Sequence, residues 1–431
     1  VAETNDANGT LLSWKEDVGP KKPFHDGLPA EHAGGVAYHG PWADPADGFN
    51  EHVRRCAEAL ACTGVPVHLR EIAPRAGDLD DGVWKRMRHL TETSIARYTV
   101  VVKQVVPAAG VLQRLTTHPH VPPALLADIL KSTVISAVWE RFPIPKADVD
   151  ALNRVGQVWV ACSSNADALV KAGVVVPIVV VPIPHRVDDP HYALRHRAKR
   201  VPGRVRFLAI GKWEPRKGMK ELIEAFLRAF RPGQAMLTLK TSAGSPKWKT
   251  YPPGPQHVVG PLLQHPEVMK NGWTPALVQR DVYVHQRLME EQALLDMHDT
   301  SDVYVSLSRG EGFNMPAYDA ALSGKLLVYV PSGGVEDFAC DKDLRVPVHG
   351  SVLADATYGW EPGARYLDYR IEDAVDALRC AREKVLNVEP NWKFKDEADA
   401  MTYTQVGQTM LAALRRLAPA LGSESGSAPV T

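Results

Sequence analysis

Two carboxylates, Glu311 and Asp319, stand eight residues apart in Ser308-Arg-Gly-Glu-Gly-Phe-Asn-Met-Pro-Ala-Tyr-Asp319. At that spacing they need not touch each other, yet they can face one ligand from two directions. Gly310 and Gly312 flank the first acid and let backbone approach a ligand closely. Upstream, Lys212-Trp-Glu-Pro-Arg216-Lys217-Gly gathers three cations in a short loop. Cations between a strand end and a helix start suit phosphate groups. Together these residue types point to an anionic, polyhydroxylated ligand.

The elements that must position them can be read locally. Val303-Tyr-Val305 is β-prone and too short for a helix. Pro316 fits the first turn of a helix through Leu322, because its missing N–H has no partner there. Gly324 stops that helix, and Leu326–Val330 reads as a second strand. Strand, loop, helix and strand in this order make an α/β unit with a parallel sheet. Its loop lies at a strand's C-terminal end, where open α/β sheets bind ligands. Arg204–Gly211 is another strand, followed by the basic loop and a helix with Leu222, Ile223, Phe226 and Phe230 on one face.

The earlier half opens the same way. Gly34–Trp42 is a strand running into a loop that contains Gly48, Asn50–Ala61 a helix, Gly64 its stop and Val65–Leu69 a strand. Residues 82–98 read as a basic helix with Trp84, Lys85, Arg86, Arg88 and Arg97. Its basic face reads as a solvated surface or as a contact for lipid, nucleic acid or an anionic acceptor. His118 and His120 sit in a Pro-rich loop without neighbouring ligands and read as loop residues. Glu140 follows a strand, Ser132–Trp139. It can orient or deprotonate a hydroxyl, or serve as a structural acid paired with Arg141 or a neighbour. A Pro- and Gly-rich insertion through about 275 reads as a lid or an acceptor contact.

Composition narrows the class. The chain has 431 residues, and two α/β domains are the natural expectation. Fifty basic residues against 50 acidic ones argue against wholesale polyanion binding. Cys56, Cys62, Cys162, Cys340 and Cys380 are scattered, odd in number and without a C-x-x-C pair, as expected for reduced thiols of a cytoplasmic protein. No run approaches a membrane span, and the polar N-terminus is no signal peptide. Asp78-Leu-Asp80, Asp148-Val-Asp150 and Asp341-Lys-Asp343 have the spacing of a metal-binding D-x-D motif. Three unrelated contexts show how readily that pattern arises.

The segment Glu-Gly-Phe-Asn-Met-Pro-Ala-Tyr-Asp resembles the E-x7-E motif of the retaining GT-B glycosyltransferases of family 4, with Asp319 in place of the second Glu. Gly-Lys-Trp-Glu-Pro-Arg-Lys-Gly is similar to the basic segment that holds the donor diphosphate in that family, with Lys212 where Arg is common. Lysine there keeps the charge and loses a bidentate fork. The likeness runs through residues 34–417. It implies two Rossmann-like domains facing across a cleft: an arm at 1–32, an acceptor domain at 33–186 joined by a C-terminal helix 396–417, a linker at 187–203, a nucleotide-sugar domain at 204–395 and a flexible tail at 418–431.

The resemblance also implies roles. Lys212, Arg216, Lys217 and Gly48 meet the donor diphosphate. Glu311, Gly312, Phe313 and Asn314 meet the donor sugar, the last three through backbone N–H groups. Asp319 accepts the ribose hydroxyls, and Glu140 lies near the acceptor. The implied reaction moves a sugar from a nucleoside diphosphate sugar, taken as a UDP-hexose, to an acceptor hydroxyl with retention. Cations can neutralise the leaving group, so no essential metal and no cofactor are expected. The acceptor stays open among glycan, lipid, protein, metabolite and modified nucleobase, as does the oligomeric state. A sugar-nucleotide epimerase using the same donor site, and a non-catalytic nucleotide-sugar or glycan-binding module, are the alternatives. A dinucleotide oxidoreductase is disfavoured, since no G-x-G-x-x-G follows a strand.

Overall fold

A computed structural model describes residues 3–5, 11–13, 32–44, 47–71, 81–185, 204–243, 251–339, 344–354, 360–387 and 401–421. The chain divides into two compact units. One comprises Val1–Trp139, Ile144–His185 and Ala400–Thr431; the other comprises Glu140–Pro143 and Arg186–Asp399. Most of the 1–32 arm and the whole 187–203 linker lie outside the described residues. Within the arm, β1 (Glu3–Asn5) and β2 (Leu11–Ser13) pair antiparallel, a small element the polar composition did not announce.

The first unit is built on six parallel strands: β3 (Gly35–His39), β4 (Val67–Arg70), β5 (Tyr98–Val105), β6 (Thr133–Ala137), β7 (Gln157–Val160) and β8 (Ile178–Val180). Their order is β4-β3-β5-β6-β7-β8. Strands such as β6 and β7 are buried at every position, as expected where helices cover both faces of a parallel sheet. The helix Tyr403–Leu417 belongs to this unit, packing on the helix Gly48–Ala61 through Val406, Met410 and Leu414. Gly407 permits that approach, because a Cβ there would lie 2.2 Å from the carbonyl oxygen of Ala59. The C-terminal helix therefore crosses back to the first unit, although residues 396–400 are not among those described.

The basic helix forms at Asp81–Thr91 and ends before Arg97. Its Arg86 is engaged internally, reaching Glu51 at 2.9 Å and Glu58 at 2.6 Å, while Arg88 pairs with Glu92 just beyond the helix end. Tyr403 joins the same network through Glu58. Arg86 thus ties three helices of the unit together instead of presenting charge to a partner.

The second unit contains β9 (Val205–Ile210), β10 (Ala235–Lys240), β11 (Val282–His285), β12 (Val303–Ser306) and β13 (Leu326–Tyr329), all parallel, in the order β11-β10-β9-β12-β13. The chain runs outward from β9 to β11 and then returns to β12 on the other side of β9. The order reverses between β9 and β12, the topological position at which open α/β sheets bind ligands. A small antiparallel pair, β14 (Gly350–Leu353) and β15 (Arg365–Asp368), completes the unit.

The insertion is not a lid over its described length. Tyr251 and Trp273 are buried in the core of this unit. The indole N–H of Trp213 donates to the Pro252 carbonyl at 2.7 Å, and that of Trp273 donates to Leu227 and Phe230 carbonyls at 2.9 Å. Arg228 clamps Glu267 at 2.7 Å from the neighbouring helix. Aromatic burial, with a hydrogen-bond partner for each indole, anchors the segment to the sheet's flanking helices.

Candidate functional site

The loops that follow β9 and β12 meet through backbone bonds. The Arg309 N–H donates to the Arg216 carbonyl at 2.8 Å, and the Ser332 hydroxyl, from the loop after β13, donates to the Ser308 carbonyl at 2.9 Å. A short turn, Pro215–Lys217, ends at Gly218 with φ 66°. A Cβ on Gly218 would sit 2.4 Å from the Leu307 carbonyl oxygen, so glycine is required both for the turn and for the close approach. This junction sets two cations against three carboxylates.

Arg216 is buried and reads all three acids: Glu214 at 2.9 Å, Glu140 at 3.2 Å and Glu311 at 3.4 Å. Its guanidinium also donates to the Gly310 carbonyl. Lys217 meets Glu311 at 2.6 Å. The two glutamates are tuned in opposite directions. Burial pushes the Glu311 carboxyl up, but Lys217 and then Arg216 outweigh burial and hold it below the usual carboxylate range. Burial pushes Glu140 up as well, and there the Arg216 attraction is too weak to compensate, with Glu311 adding repulsion. Two carboxyls on one guanidinium thus differ in proton affinity, a pattern seen where acid–base roles are divided.

Glu140 reaches this site on a strap that belongs to the same unit. Arg141 does not pair with Glu140; it pairs with Glu361 at 2.7 Å, and its guanidinium lies 4.2 Å from the Trp360 ring centre. The backbone of Phe142 exchanges two hydrogen bonds with that of Arg365, at 3.1 and 2.7 Å. Gly310 lets the strap close in, since a Cβ there would lie 2.2 Å from the Glu140 carbonyl oxygen. Of the pairings open to Glu140 in the sequence, the structure shows one with Arg216.

The helix Met315–Leu322 begins as read, with Pro316 in its first turn and Gly324 at φ 70° beyond its end. Asn314 enters it at φ 75°, a left-handed conformation that asparagine tolerates better than most residues. Its side-chain amide donates to the Ser306 hydroxyl at 2.8 Å. The Phe313 ring packs between Tyr318 and Phe338, at 5.2 and 5.4 Å, and faces the core; only its backbone is available to a ligand. Gly333 and Gly334 make room for this loop, as Cβ atoms there would strike the Glu311 carbonyl and the Phe313 ring at 2.2 and 2.6 Å.

No family model matches the sequence, and no curated protein matches it. Solved structures do. Sucrose-phosphate synthase from Thermosynechococcus elongatus is 15% identical with a TM-score of 0.56, covering 90% of this chain and 100% of that one. The α,α-trehalose 6-phosphate synthase from Burkholderia multivorans is 14% identical with a TM-score of 0.52, covering 91% and 100%. A trehalose-6-phosphate protein structure from E. coli, bound with UDP-2-fluoro glucose, is 12% identical with a TM-score of 0.54, covering 88% and 99%. The fold is GT-B.

Within that GT-B frame the sequence-derived residues separate. Glu311, Glu140, Arg216 and Lys217 converge, and Gly312, Phe313 and Asn314 extend from them into the helix start. Lys212 is exposed beyond the end of β9, outside this buried cluster. Asp319 is half-buried one turn into the helix. Gly48 belongs to the first unit, where it is the first residue of the helix Gly48–Ala61, capped by Asp47. Glu214 escaped the sequence reading. Its signal was an acid two residues before Arg216 in an otherwise basic loop. Of the D-x-D pairs, Asp148 accepts from Gln113 and Asp150 pairs with Lys146, while the other two lie outside the described residues.

Proposed function

We propose that this chain transfers a sugar from a nucleoside diphosphate sugar to an acceptor hydroxyl. The observation that carries this reading is the buried meeting of Lys217 and Arg216 with Glu311 at the strand-order reversal of the second sheet. Cations at such a point can stabilise the charge that develops on a departing diphosphate. A carboxylate has about four lone-pair positions, so Glu311 can hold Lys217 and still accept from sugar hydroxyls. The N-terminal end of the helix Met315–Leu322 favours the same negative or polyhydroxyl ligand. Asp319 is assigned to the ribose hydroxyls and Lys212 to the outer side of the diphosphate. Gly48 enters through the family resemblance alone. Glu140, with its raised proton affinity, is assigned to the acceptor hydroxyl as orienting group or base.

Retention at the anomeric carbon and independence of metal ions belong to the same proposal. Retention follows the E-x7-E resemblance, and the basic groups supply the charge neutralisation for which a metal would otherwise be needed. A UDP-hexose is the donor to try first, supported by the similar fold bound with UDP-2-fluoro glucose. The test is turnover of Glu311→Ala against wild type, once a calorimetric panel of UDP, GDP and ADP sugars has identified the donor. The reading requires loss of transfer with the fold intact. Near-normal turnover would overturn it.

A further inference from the structure

The cluster around Arg216 carries more acid than base. Glu140, Glu214 and Glu311 face Arg216 and Lys217, and Arg216 alone touches all three. Glu214, Glu311 and Arg216 are each less than a tenth exposed, so bulk water screens their charges poorly. With every group ionised, the five side chains sum to one surplus negative charge. A diphosphate that takes Arg216 and Lys217 as partners adds two more negative charges to the same enclosed volume. It also draws the cations away from the carboxylates they now hold. Like charges that close together cannot all remain ionised.

We propose that nucleoside diphosphate sugar binding at this site is coupled to the uptake of one proton from solvent, and that the Glu140 carboxylate receives it. This rests on the donor site proposed above. Glu140 is the acid best suited to accept the proton. Glu214 keeps the shortest contact with Arg216, and Glu311 keeps the 2.6 Å contact with Lys217. Glu140 has only the 3.2 Å contact, and its side chain is the most exposed of the three, at 18%, which gives a proton a route from solvent. The groups facing it are Arg216, Lys217 and Glu214 from the loop after β9 and Glu311 from the loop after β12. Tyr366 approaches from β15. Burial already raises the proton affinity of Glu140, the same direction in which an added diphosphate pushes it. A donor-loaded site would then hold Glu140 as an acid that hydrogen-bonds and orients the acceptor, so of the two roles assigned above it takes the orienting one and not the base, and it returns its proton when the diphosphate leaves.

The sign follows from linkage. If the complex binds one more proton than the free protein, affinity weakens as pH rises through the range between the free and bound proton affinities of Glu140. The limiting slope is about tenfold in Kd per pH unit. UDP-glucose is the probe, because each of its phosphates carries one ester and one anhydride bond, and neither titrates near neutrality. Calorimetry in two buffers of different ionisation enthalpy, between about pH 5 and 8, reads the protons taken up per nucleotide bound. Wild type is expected to take up close to one proton over part of that range. Glu140→Gln is expected to bind UDP-glucose with no proton uptake and a flat pH dependence. Binding by wild type without uptake, or uptake that persists in Glu140→Gln, overturns the proposal and leaves the donor site standing. Absence of binding by UDP-, GDP- and ADP-glucose alike overturns both.

Discussion

The first loop of each sheet begins at the same place in the topology and ends in a different use. After β3, residues 40–44, 47 and 48 are held by polar side chains of the same unit. Glu71 accepts from the Trp42 and Ala43 N–H groups at 3.0 and 3.1 Å. Asp47 caps the following helix, and Arg54 donates to the Trp42 and Asp44 carbonyls. After β9, by contrast, Arg216 and Lys217 turn toward acids contributed by another loop and by a separate strap. Topology alone therefore does not make a reactive site. What distinguishes the second loop is opposed charge brought together under burial, where electrostatic interactions are strong enough to bind and to tune.

Substitutions can break this contrast in a graded way. The largest effect is expected from Glu311→Ala, which removes the acid shared by both cations. Transfer should fall by about a hundredfold or more, measured as kcat/KM with the identified donor. Lys217→Ala should come next, weakening donor affinity by about ten- to a hundredfold, the scale of a hydrogen bond to a charged group. Calorimetric Kd values check it. Gly310→Ala should cost about 2 kcal/mol of stability, because its Cβ would meet the Glu140 carbonyl oxygen and the Tyr366 ring at 2.2 and 2.8 Å. Chemical denaturation measures that loss. In the other loop, Asp47→Ala should cost only about 1 kcal/mol through the lost helix cap and leave donor affinity unchanged.

Stability against pH sharpens the same contrast inside the cluster. Glu311 has a folded-state proton affinity below its unfolded one, so its contribution is present near neutrality and is lost as pH falls through the folded value. Glu140 is shifted the other way, so the stability linked to it is present in acid and is lost as pH rises. Glu140→Gln should therefore raise the melting temperature at neutral pH by about 2 °C, and the gain should shrink on acidification. Stabilisation by deleting a charged group from a working site is the expected sign of a strained, functional arrangement.

Much of the frame was legible because it is local. Pro316, Gly324 and the apolar runs of β12 and β13 announce a strand–loop–helix–strand unit without any distant contact. The basic loop was equally visible, since its three cations are nearly adjacent. What stayed hidden depends on residues far apart in sequence. The Arg141–Glu361 pair joins positions 220 residues apart, and no local pattern predicts it. The same holds for Glu140, whose nearest charged neighbour in sequence is Arg141 while its partner in space is Arg216. The insertion read as a lid or an acceptor contact because Pro and Gly suggested a loop. Trp273 and Tyr251, large aromatics that need burial, were the residues to weigh more heavily.

The central claim is that the loops after β9 and β12 form a donor site. Its most direct test is calorimetric titration of wild type and Lys217→Ala with UDP-, GDP- and ADP-glucose without added metal. The account predicts that one nucleotide sugar binds wild type and that Lys217→Ala weakens it at least about tenfold, with an unchanged circular dichroism spectrum. Failure of all three to bind wild type, or equal binding by wild type and variant, would contradict it.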